Sequence, residues 1–306
     1  MSKSTSVQRR TAREKTAAMR EADRKRDARR RNLLVATSTV VIIVLVVLIA
    51  VGVKLSSKPA ASTASSTTAA SASLLAKVSG VPAATLESIG DGGVKNPLLP
   101  ATGDKLVDGK LPLVVYMGAE YCPYCAAERW PMIVALSRFG TFTNLQVTRS
   151  GAAPEVSPDT PTFSFHGATY TSKYLAFQGV EMQTNSKDAS GKYTTLDTPT
   201  AAQNALLTKY DAPPYVSADS QGAIPFVDFG NQAVMSGASF SPDILAGLTQ
   251  DQVADKIVAS DPIGKAIGGT ANQITAMLCK MTNNQPSTVC LQPSIVKLRG
   301  SISAAK

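Results

Sequence analysis

Two cysteines at C-x-x-C spacing, Cys122 and Cys125, are the residues of this sequence best suited to chemistry. They follow an apolar run, residues 113–117, that predicts a buried strand, and they precede a helix-forming segment. Cys122 then occupies the N-cap of the helix and Pro123 its first position, where the missing N–H costs nothing. The free N–H groups and the helix dipole favour a reactive thiolate at Cys122. Cys125, one turn further on, can attack a mixed disulfide at Cys122 and release the product.

The same spacing occurs in structural bridges and in one half of a zinc site, so both remain alternatives for Cys122 and Cys125. Zinc would require two further ligands. Cys279 and Cys290 have ten residues between them, rather than the roughly two to four of a zinc knuckle, so we expect no metal site. These two are predicted to form a structural disulfide that closes a C-terminal loop. The alternative is a second redox pair that passes electrons to the first.

The elements that position the cysteines are predicted from periodicity and turn residues. A strand over residues 145–149 would complete a β-α-β unit with the strand over 113–117 and the intervening helix, and such a unit pairs its strands in parallel. Aromatic-rich segments over 162–165 and 174–180 predict further strands. An amphipathic pattern predicts a helix over 199–210.

The C-terminal third of the chain is predicted to be helical. Thr249 and Gln252 form a capping box for a helix over residues 250–260. Asp261 begins the next helical stretch, and the two glycines at 268–269 are expected to interrupt it.

The N-terminal region has the features of a membrane anchor. Residues 1–32 carry twelve Lys and Arg against four Asp and Glu, which accounts for +8 of the net charge of +9. Residues 33–53 form an uncharged apolar run that, as a helix, would span about 30 Å, the thickness of a bilayer core. A cleaved signal peptide is the alternative, but its apolar region would be only roughly 7–15 residues long. The positive charge before the run predicts a cytoplasmic N-terminus.

The chain is therefore divided into four predicted regions. The linker is predicted because residues 56–73 are almost entirely Ala, Ser and Thr and cannot build a core. The basic tail is expected to lie on anionic lipid, with a solvated leader as the alternative. The remainder is nearly neutral, so no nucleic-acid partner is expected. The regions are a basic cytoplasmic tail over 1–32, a transmembrane helix over 33–54, a linker over 55–74 and an extracytoplasmic domain over 75–306.

Several other residues have both a functional and a packing interpretation. Tyr121 and Tyr124 flank the sulfurs and are candidates for an apolar rim that receives substrate, or for packing. His166 is the only histidine, and a Cys-His hydrolase would need it. A lone histidine after an aromatic strand is more typical of a packed or surface residue. Trp130 is predicted to lie in the core.

A second informative stretch is Ile224-Pro225, followed by an apolar strand pattern over 226–229 and a Gly-Asn turn at 230–231 that predicts a hairpin with 232–235. A strand, a C-x-x-C helix start and a distant Ile-Pro before a β-hairpin, in this order, resemble the thioredoxin superfamily. The Cys-Pro-Tyr-Cys sequence is similar to the active site of glutaredoxins, and the C-terminal helices resemble extracytoplasmic members. More closely, residues 75–300 resemble a membrane-anchored prokaryotic family, domain of unknown function 929. The stretches that carry this resemblance are GAEYCPYC at 118–125, ERWP at 128–131 and FSFHGA at 163–168, with Tyr170, Ser172 and Tyr174.

The thioredoxin resemblance implies a cis peptide bond between Ile224 and Pro225 that faces the cysteine pair, with the backbone before the proline binding the substrate peptide. One feature of that superfamily has no counterpart here, because the strand over 113–117 holds no carboxylate. Glu120 and Glu128 lie nearby in sequence, but either can be a solvated surface charge. A proton acceptor for the second cysteine is therefore not identified.

Together these features predict an α/β protein with a thioredoxin-like fold, a helical insertion and C-terminal helices, preceded by one transmembrane helix. The expected function is a membrane-anchored extracytoplasmic thiol-disulfide oxidoreductase, an oxidase or isomerase rather than a reductase, that acts on cysteines of secreted or envelope proteins. It would need no cofactor. Its expected partners are protein thiols and membrane lipid, with a membrane redox partner as a further candidate. The alternative is a non-catalytic, membrane-tethered thioredoxin-like binding module with a structural disulfide.

Overall fold

The computed structural model describes residues 67–302, which form a mixed α/β fold. The strands are β1 (Thr68–Ala69), β2 (Leu99–Pro100), β3 (Val107–Asp108), β4 (Leu111–Gly118), β5 (Gly140–Thr143), β6 (Gln146–Arg149), β7 (Pro161–Ser164), β8 (Thr169–Ser172), β9 (Ala176–Glu181), β10 (Gln183–Lys187), β11 (Tyr193–Thr195), β12 (Phe226–Phe229) and β13 (Ala233–Ser236). The helices are α1 (Ala72–Ser79), α2 (Ala83–Ile89), α3 (Pro123–Leu136), α4 (Ala201–Tyr210), α5 (Gln250–Ala259), α6 (Pro262–Met281), α7 (Ser287–Cys290) and α8 (Pro293–Ser301).

Strand β4 is the centre of the main sheet. On one side it pairs antiparallel with β12, which continues through β13 to β2, and on the other side it pairs in parallel with β9. Its residues alternate between two hydrophobic clusters. Val114 and Tyr116 face the larger cluster with α3 and α6, while Val115 and Met117 face a smaller one that includes Tyr210 of α4. The strand is buried on both faces, which explains why its sequence is continuously apolar.

The predicted β-α-β unit exists, but with a different second strand. Strand β6, predicted to pair with β4, instead pairs antiparallel with β1 and β7, so this prediction is wrong. The parallel partner of β4 is β9, in register from Leu113 opposite Ala176 to Gly118 opposite Glu181. Both β6 and β9 follow α3, and the choice between them depends on packing contacts that are distant in sequence.

The segment between α3 and β12 is mainly β-structure, so the predicted helical insertion is wrong. It contains strands β5 to β11, one α-helix, α4, and a short 3-10 turn at Ala218–Ser220. The strand predictions over 162–165 and 174–180 are confirmed by β7 and β9. The segment is rich in Thr and aromatic residues, which favour strands. Helix α4 is confirmed, with a capping box between Thr200 and Gln203.

The C-terminal third is helical, as predicted, and Thr249 with Gln252 caps α5. Helix α6 is continuous through Gly268 and Gly269, so the predicted interruption is wrong. At Gly268 a Cβ atom would lie 2.7 Å from the Ile89 side chain, and at Gly269 one would lie 2.2 Å from the Asp91 carbonyl oxygen. The two glycines therefore allow α2 and the turn after it to approach α6 closely.

The last residues of the predicted linker belong to the fold. Strand β1 pairs with β6, and Ser71 caps α1 by accepting a hydrogen bond from the Leu74 N–H. Leu74 is buried, because α1 is amphipathic and packs on the core. The predicted tail, transmembrane helix and most of the linker lie outside the described residues. Within residues 67–302, no helix is both long and apolar enough to cross a membrane.

Candidate functional site

The cysteine pair lies at the junction of β4 and α3, as the sequence predicts. Cys122 is the N-cap of α3, and Pro123 occupies the first turn. The Cys122 Sγ accepts a hydrogen bond from the Cys125 N–H at 3.3 Å. Both cysteines are free thiols. Neither sulfur is therefore held in a disulfide bond in this arrangement.

The two thiols have different environments. Cys122 is 5% exposed, whereas Cys125 is fully buried. Hydrogen bonding from the Cys125 side chain lowers the pKa of the Cys122 thiol, and the Cys125 N–H and the Arg129 guanidinium add to this effect against the cost of burial. Burial raises the pKa of the Cys125 thiol well above its ordinary value, and its hydrogen bond to Cys122 raises it further. The pair thus contains one thiol, at Cys122, whose surroundings lower its pKa and one fully enclosed thiol, at Cys125, whose pKa is raised.

The loop before β12 faces this pair. The peptide bond between Ile224 and Pro225 is cis, as predicted. The Ile224 carbonyl oxygen lies 3.7 Å from the Cys122 Sγ. Phe226, which follows Pro225, pairs with Met117 near the end of β4. The register of the sheet therefore brings this loop to the cysteines.

The two tyrosines that flank the sulfurs differ in exposure. Tyr124 is 44% exposed. Tyr121 stacks on Tyr193 with ring centroids 4.2 Å apart, and the Tyr193 hydroxyl donates a hydrogen bond to Glu155. Burial raises the pKa of Tyr121 to about 12. Tyr121 is thus held by packing, and Tyr124, two residues after Cys122, has the more exposed side chain.

Both glutamates near the pair are buried, so neither is a solvated surface charge. Glu120 accepts a hydrogen bond from the Ser164 hydroxyl at 2.6 Å. Glu128 accepts hydrogen bonds from the N–H and the hydroxyl of Ser239, both at 2.9 Å. Burial raises the pKa of Glu128 to about 7. The sequence alone could not identify this burial, since Glu120 lies in the turn before α3 and Glu128 lies within α3, positions where exposed charges are common.

A buried ion pair beside the cysteines was not predicted. Arg129 of α3 and Glu181 at the end of β9 are both fully buried and form two hydrogen bonds, at 2.8 and 2.6 Å. The signal available in the sequence is the position of Arg129 four residues after Cys125, which places both on one face of the helix.

The remaining candidate residues have structural partners. Cys279 and Cys290 form the predicted disulfide. Trp130 is fully buried, as predicted, and donates to the Pro161 carbonyl oxygen. His166 Nδ1 lies 2.7 Å from an Asp197 carboxylate oxygen. Among residues 67–302, no three histidine, cysteine or acidic side chains are grouped so that they could hold a metal ion.

Comparison with known proteins identifies a family. The family model described as "Domain of unknown function (DUF929)" matches residues 102–280, more than half of the chain. The chain therefore belongs to this family, as its motifs indicated. No curated protein matches the chain. No solved structure matches it either.

Proposed function

We propose that this member of the domain of unknown function 929 family is a thiol-disulfide oxidoreductase that acts on protein cysteines. One observation carries the proposal, namely the unequal environment of the two thiols. Cys122 caps α3 and its Sγ accepts the Cys125 N–H, while Cys125 is fully buried behind it. In a redox-active pair one sulfur of low pKa attacks or leaves and the other resolves, and this unequal environment fits those roles.

In the oxidising direction, the pair begins as a Cys122–Cys125 disulfide. A substrate thiolate attacks the Cys122 sulfur, the intramolecular S–S bond breaks, and Cys125 leaves and takes up a proton. A second substrate thiolate then attacks the substrate sulfur of the mixed disulfide, and Cys122 leaves as a thiolate. The substrate gains a disulfide and the pair is reduced by two electrons. The environment that lowers the Cys122 pKa stabilises this leaving group.

The substrate peptide would bind along the loop that ends at Pro225. The Ile224 carbonyl oxygen, 3.7 Å from the Cys122 Sγ, can accept a hydrogen bond from the substrate backbone next to its reacting cysteine. The exposed ring of Tyr124 supplies apolar surface on the helix side of the sulfur. These contacts support a polypeptide substrate rather than a small disulfide alone.

A thioredoxin-like architecture is part of the proposal. It is supported by the central β4 followed by the cysteine pair on α3, the parallel partner β9, and the antiparallel hairpin of β12 and β13 that begins after Pro225. The extracytoplasmic location rests on residues 1–54 of the sequence, with their basic segment and apolar run. In that compartment the substrates would be cysteines of secreted or envelope proteins, and a membrane redox partner would re-oxidise the pair.

The test uses the full-length protein with Cys122→Ser and Cys125→Ser variants. Cys122→Ser is expected to abolish disulfide exchange in a refolding assay with a reduced, unfolded substrate. With a substrate that already contains a disulfide, Cys125→Ser is expected to accumulate mixed disulfides, visible on non-reducing gels, because the Cys122 thiolate still attacks the substrate disulfide and no Cys125 thiol attacks the Cys122 sulfur to release it. The double variant Cys279→Ala with Cys290→Ala is the matched control that removes two cysteines elsewhere. Full activity of Cys122→Ser would exclude the proposed roles and favour the non-catalytic binding module.

A further inference from the structure

The buried ion pair between Arg129 and Glu181 lies directly beneath the cysteine pair. The Arg129 Nε donates to one Glu181 carboxylate oxygen at 2.8 Å, and Nη2 donates to the other at 2.6 Å. Both side chains are completely enclosed. Such a pair is not an efficient source of stability, because desolvation of the two charges offsets most of their attraction and apolar replacements are often tolerated. Its position therefore calls for an explanation in terms of the site.

Arg129 is connected to Cys122 through a shared acceptor. The Arg129 Nη2 donates a hydrogen bond to the Ala119 carbonyl oxygen at 2.8 Å. The same carbonyl oxygen accepts the Cys122 N–H at 3.2 Å. The guanidinium thus fixes the turn whose last residue is the N-cap cysteine.

The other end of the ion pair is held rigidly. The Phe165 N–H donates to the Glu181 carboxylate at 3.2 Å. The Glu181 N–H donates to Asp197 at 2.9 Å, and Asp197 also contacts His166. Because the carboxylate has several partners, the guanidinium has one defined position under the turn.

The Arg129 guanidinium, although paired with Glu181, keeps one hydrogen-bond donor unused within residues 67–302. Its Nη1 is buried and has no hydrogen-bond partner in the described part of the chain. The Tyr116 hydroxyl from β4 is likewise buried without a partner, and its ring centroid lies 5.9 Å from the Arg129 Cζ. A guanidinium with an unused donor stabilises negative charge that develops nearby.

Titratable groups from several elements surround the Arg129 guanidinium. Glu181 is on β9, Tyr116 is on β4, Cys125 is on α3 and Cys122 is the N-cap of α3. Glu120, in the turn, raises the pKa of Glu181, for which burial is the largest cause. Glu128 lies on the same helix as Arg129, but its carboxylate accepts from Ser239. Among these groups Arg129 is the fixed cation. Its charge contributes to the lowered pKa of Cys122, and at Cys125 it opposes the burial that raises the pKa.

We propose that Arg129, fixed by Glu181, is a positioning residue of the cysteine site that holds the turn from Ala119 to Cys122 and supplies the positive charge that stabilises the Cys122 thiolate. The role of Arg129 rests on the proposed function only in what the thiolate is used for. The thiolate fraction of Cys122 can be measured whether or not the protein exchanges disulfides. Glu181 moderates the effect, since it neutralises part of the guanidinium charge. The proposal predicts that removal of the Arg129 cation raises the pH midpoint of Cys122 alkylation. Removal of its carboxylate partner, Glu181, should lower that midpoint.

The experiment measures the pH dependence of Cys122 alkylation by iodoacetamide in the reduced full-length protein, with peptide mapping by mass spectrometry to separate Cys122 from Cys125. Arg129→Met is expected to raise the midpoint by about one pH unit, which means about a tenfold loss of thiolate below that midpoint. Arg129→Lys, which keeps the charge but not the planar fork, should recover part of the change. Glu181→Gln is expected to lower the midpoint.

Arg138→Met is the matched control. Arg138 follows α3 and donates to Asn272, Thr275 and Gln292, so its loss also removes a partly buried guanidinium with several contacts. It should lower stability without changing the Cys122 midpoint. If Arg129→Met does not fold, the double variant Arg129→Met with Glu181→Gln removes both charges and is expected to raise the midpoint.

Two outcomes would overturn the proposal. One is an unchanged midpoint in the folded variants that lack Arg129. The other is a change of the same sign for Arg129→Met and Glu181→Gln, which is the result of a purely structural role. Failure of the proposed function is a different result, in which the wild-type protein exchanges no disulfides although its Cys122 midpoint responds to these variants.

Discussion

The buried carboxyl group of Glu128 should make the stability of this protein depend on pH in a way that one substitution removes. Glu128 is completely buried on α3, where one carboxylate oxygen accepts both the Ser239 N–H and the Ser239 hydroxyl. Its other oxygen has no hydrogen-bond partner among residues 67–302. Burial raises the pKa of the group from 4.5 to about 7. Glu128→Gln keeps the shape and an oxygen for Ser239 but cannot ionise.

The magnitude follows from the difference between the folded and unfolded states. Each pKa unit corresponds to about 1.4 kcal/mol, so the change from 4.5 to about 7 disfavours the charged form in the folded protein by about 3 kcal/mol. Between these values the folded protein binds more protons than the unfolded chain, so its stability falls as the pH rises. Below pH 4.5 the carboxyl is protonated in both states and the penalty is absent. Glu128→Gln should therefore stabilise the protein by about 3 kcal/mol more at pH 8 than at pH 4.

The assay is urea unfolding of wild type and variant at both pH values, since groups common to the two proteins cancel in the difference. Glu87→Gln is the matched control, because Glu87 also accepts the N–H and hydroxyl of one serine, Ser294, but is only partly buried. The Glu87→Gln control measures how much stability is lost when such serine contacts are changed at a carboxyl group that is not fully buried. An equal effect of Glu128→Gln at pH 4 and pH 8 would refute the reasoning, because it would mean that Glu128 carries no penalty for ionisation.

Three further predictions concern the disulfide, the redox direction and the topology. Replacement of Cys279 and Cys290 by alanine should lower the stability measured by thermal denaturation by about 2–3 kcal/mol, since their bridge closes a separation of 11 residues. Disulfide-exchange activity should persist. An unchanged melting temperature together with lost exchange activity would instead favour an electron-passing pair. Equilibration with glutathione buffers should give Cys122 and Cys125 a potential above roughly −200 mV, because the thiolate environment favours the reduced pair, whereas a value of about −270 mV would indicate a reductant. Protease added to cells without their wall should digest the folded domain and spare residues 1–32, and protection of the domain would contradict the extracytoplasmic location.

Features that depend on neighbours in the chain were predictable. The N-cap position of Cys122 follows from the strand, the proline and the helix-forming residues around it, and the structure has this cap. The capping box of Thr249 with Gln252 was equally readable, because its two hydrogen bonds join residues three apart. The disulfide between Cys279 and Cys290 followed from counting cysteines and rejecting a zinc spacing.

Features that depend on distant contacts were decided only by the tertiary structure. The pairing of β9 rather than β6 with β4 depends on a connection of many residues, and both candidate strands follow the same helix. The continuity of α6 through its glycines depends on the close approach of Ile89 and Asp91. Local preference weakens a helix at glycine by only about 1 kcal/mol, which tertiary packing readily exceeds.

The site divides in the same way. Its two sulfurs and their helix terminus are local, so the sequence determined them. The Ile224 carbonyl oxygen, the Arg129–Glu181 ion pair and the burial of Glu128 come from segments that lie far apart in the chain. Burial and charge pairing, which shift pKa values, are properties of the space around a group rather than of its neighbours in sequence. The sequence therefore determined where the two sulfurs lie relative to the helix terminus, and the tertiary structure decided how strongly each holds its proton.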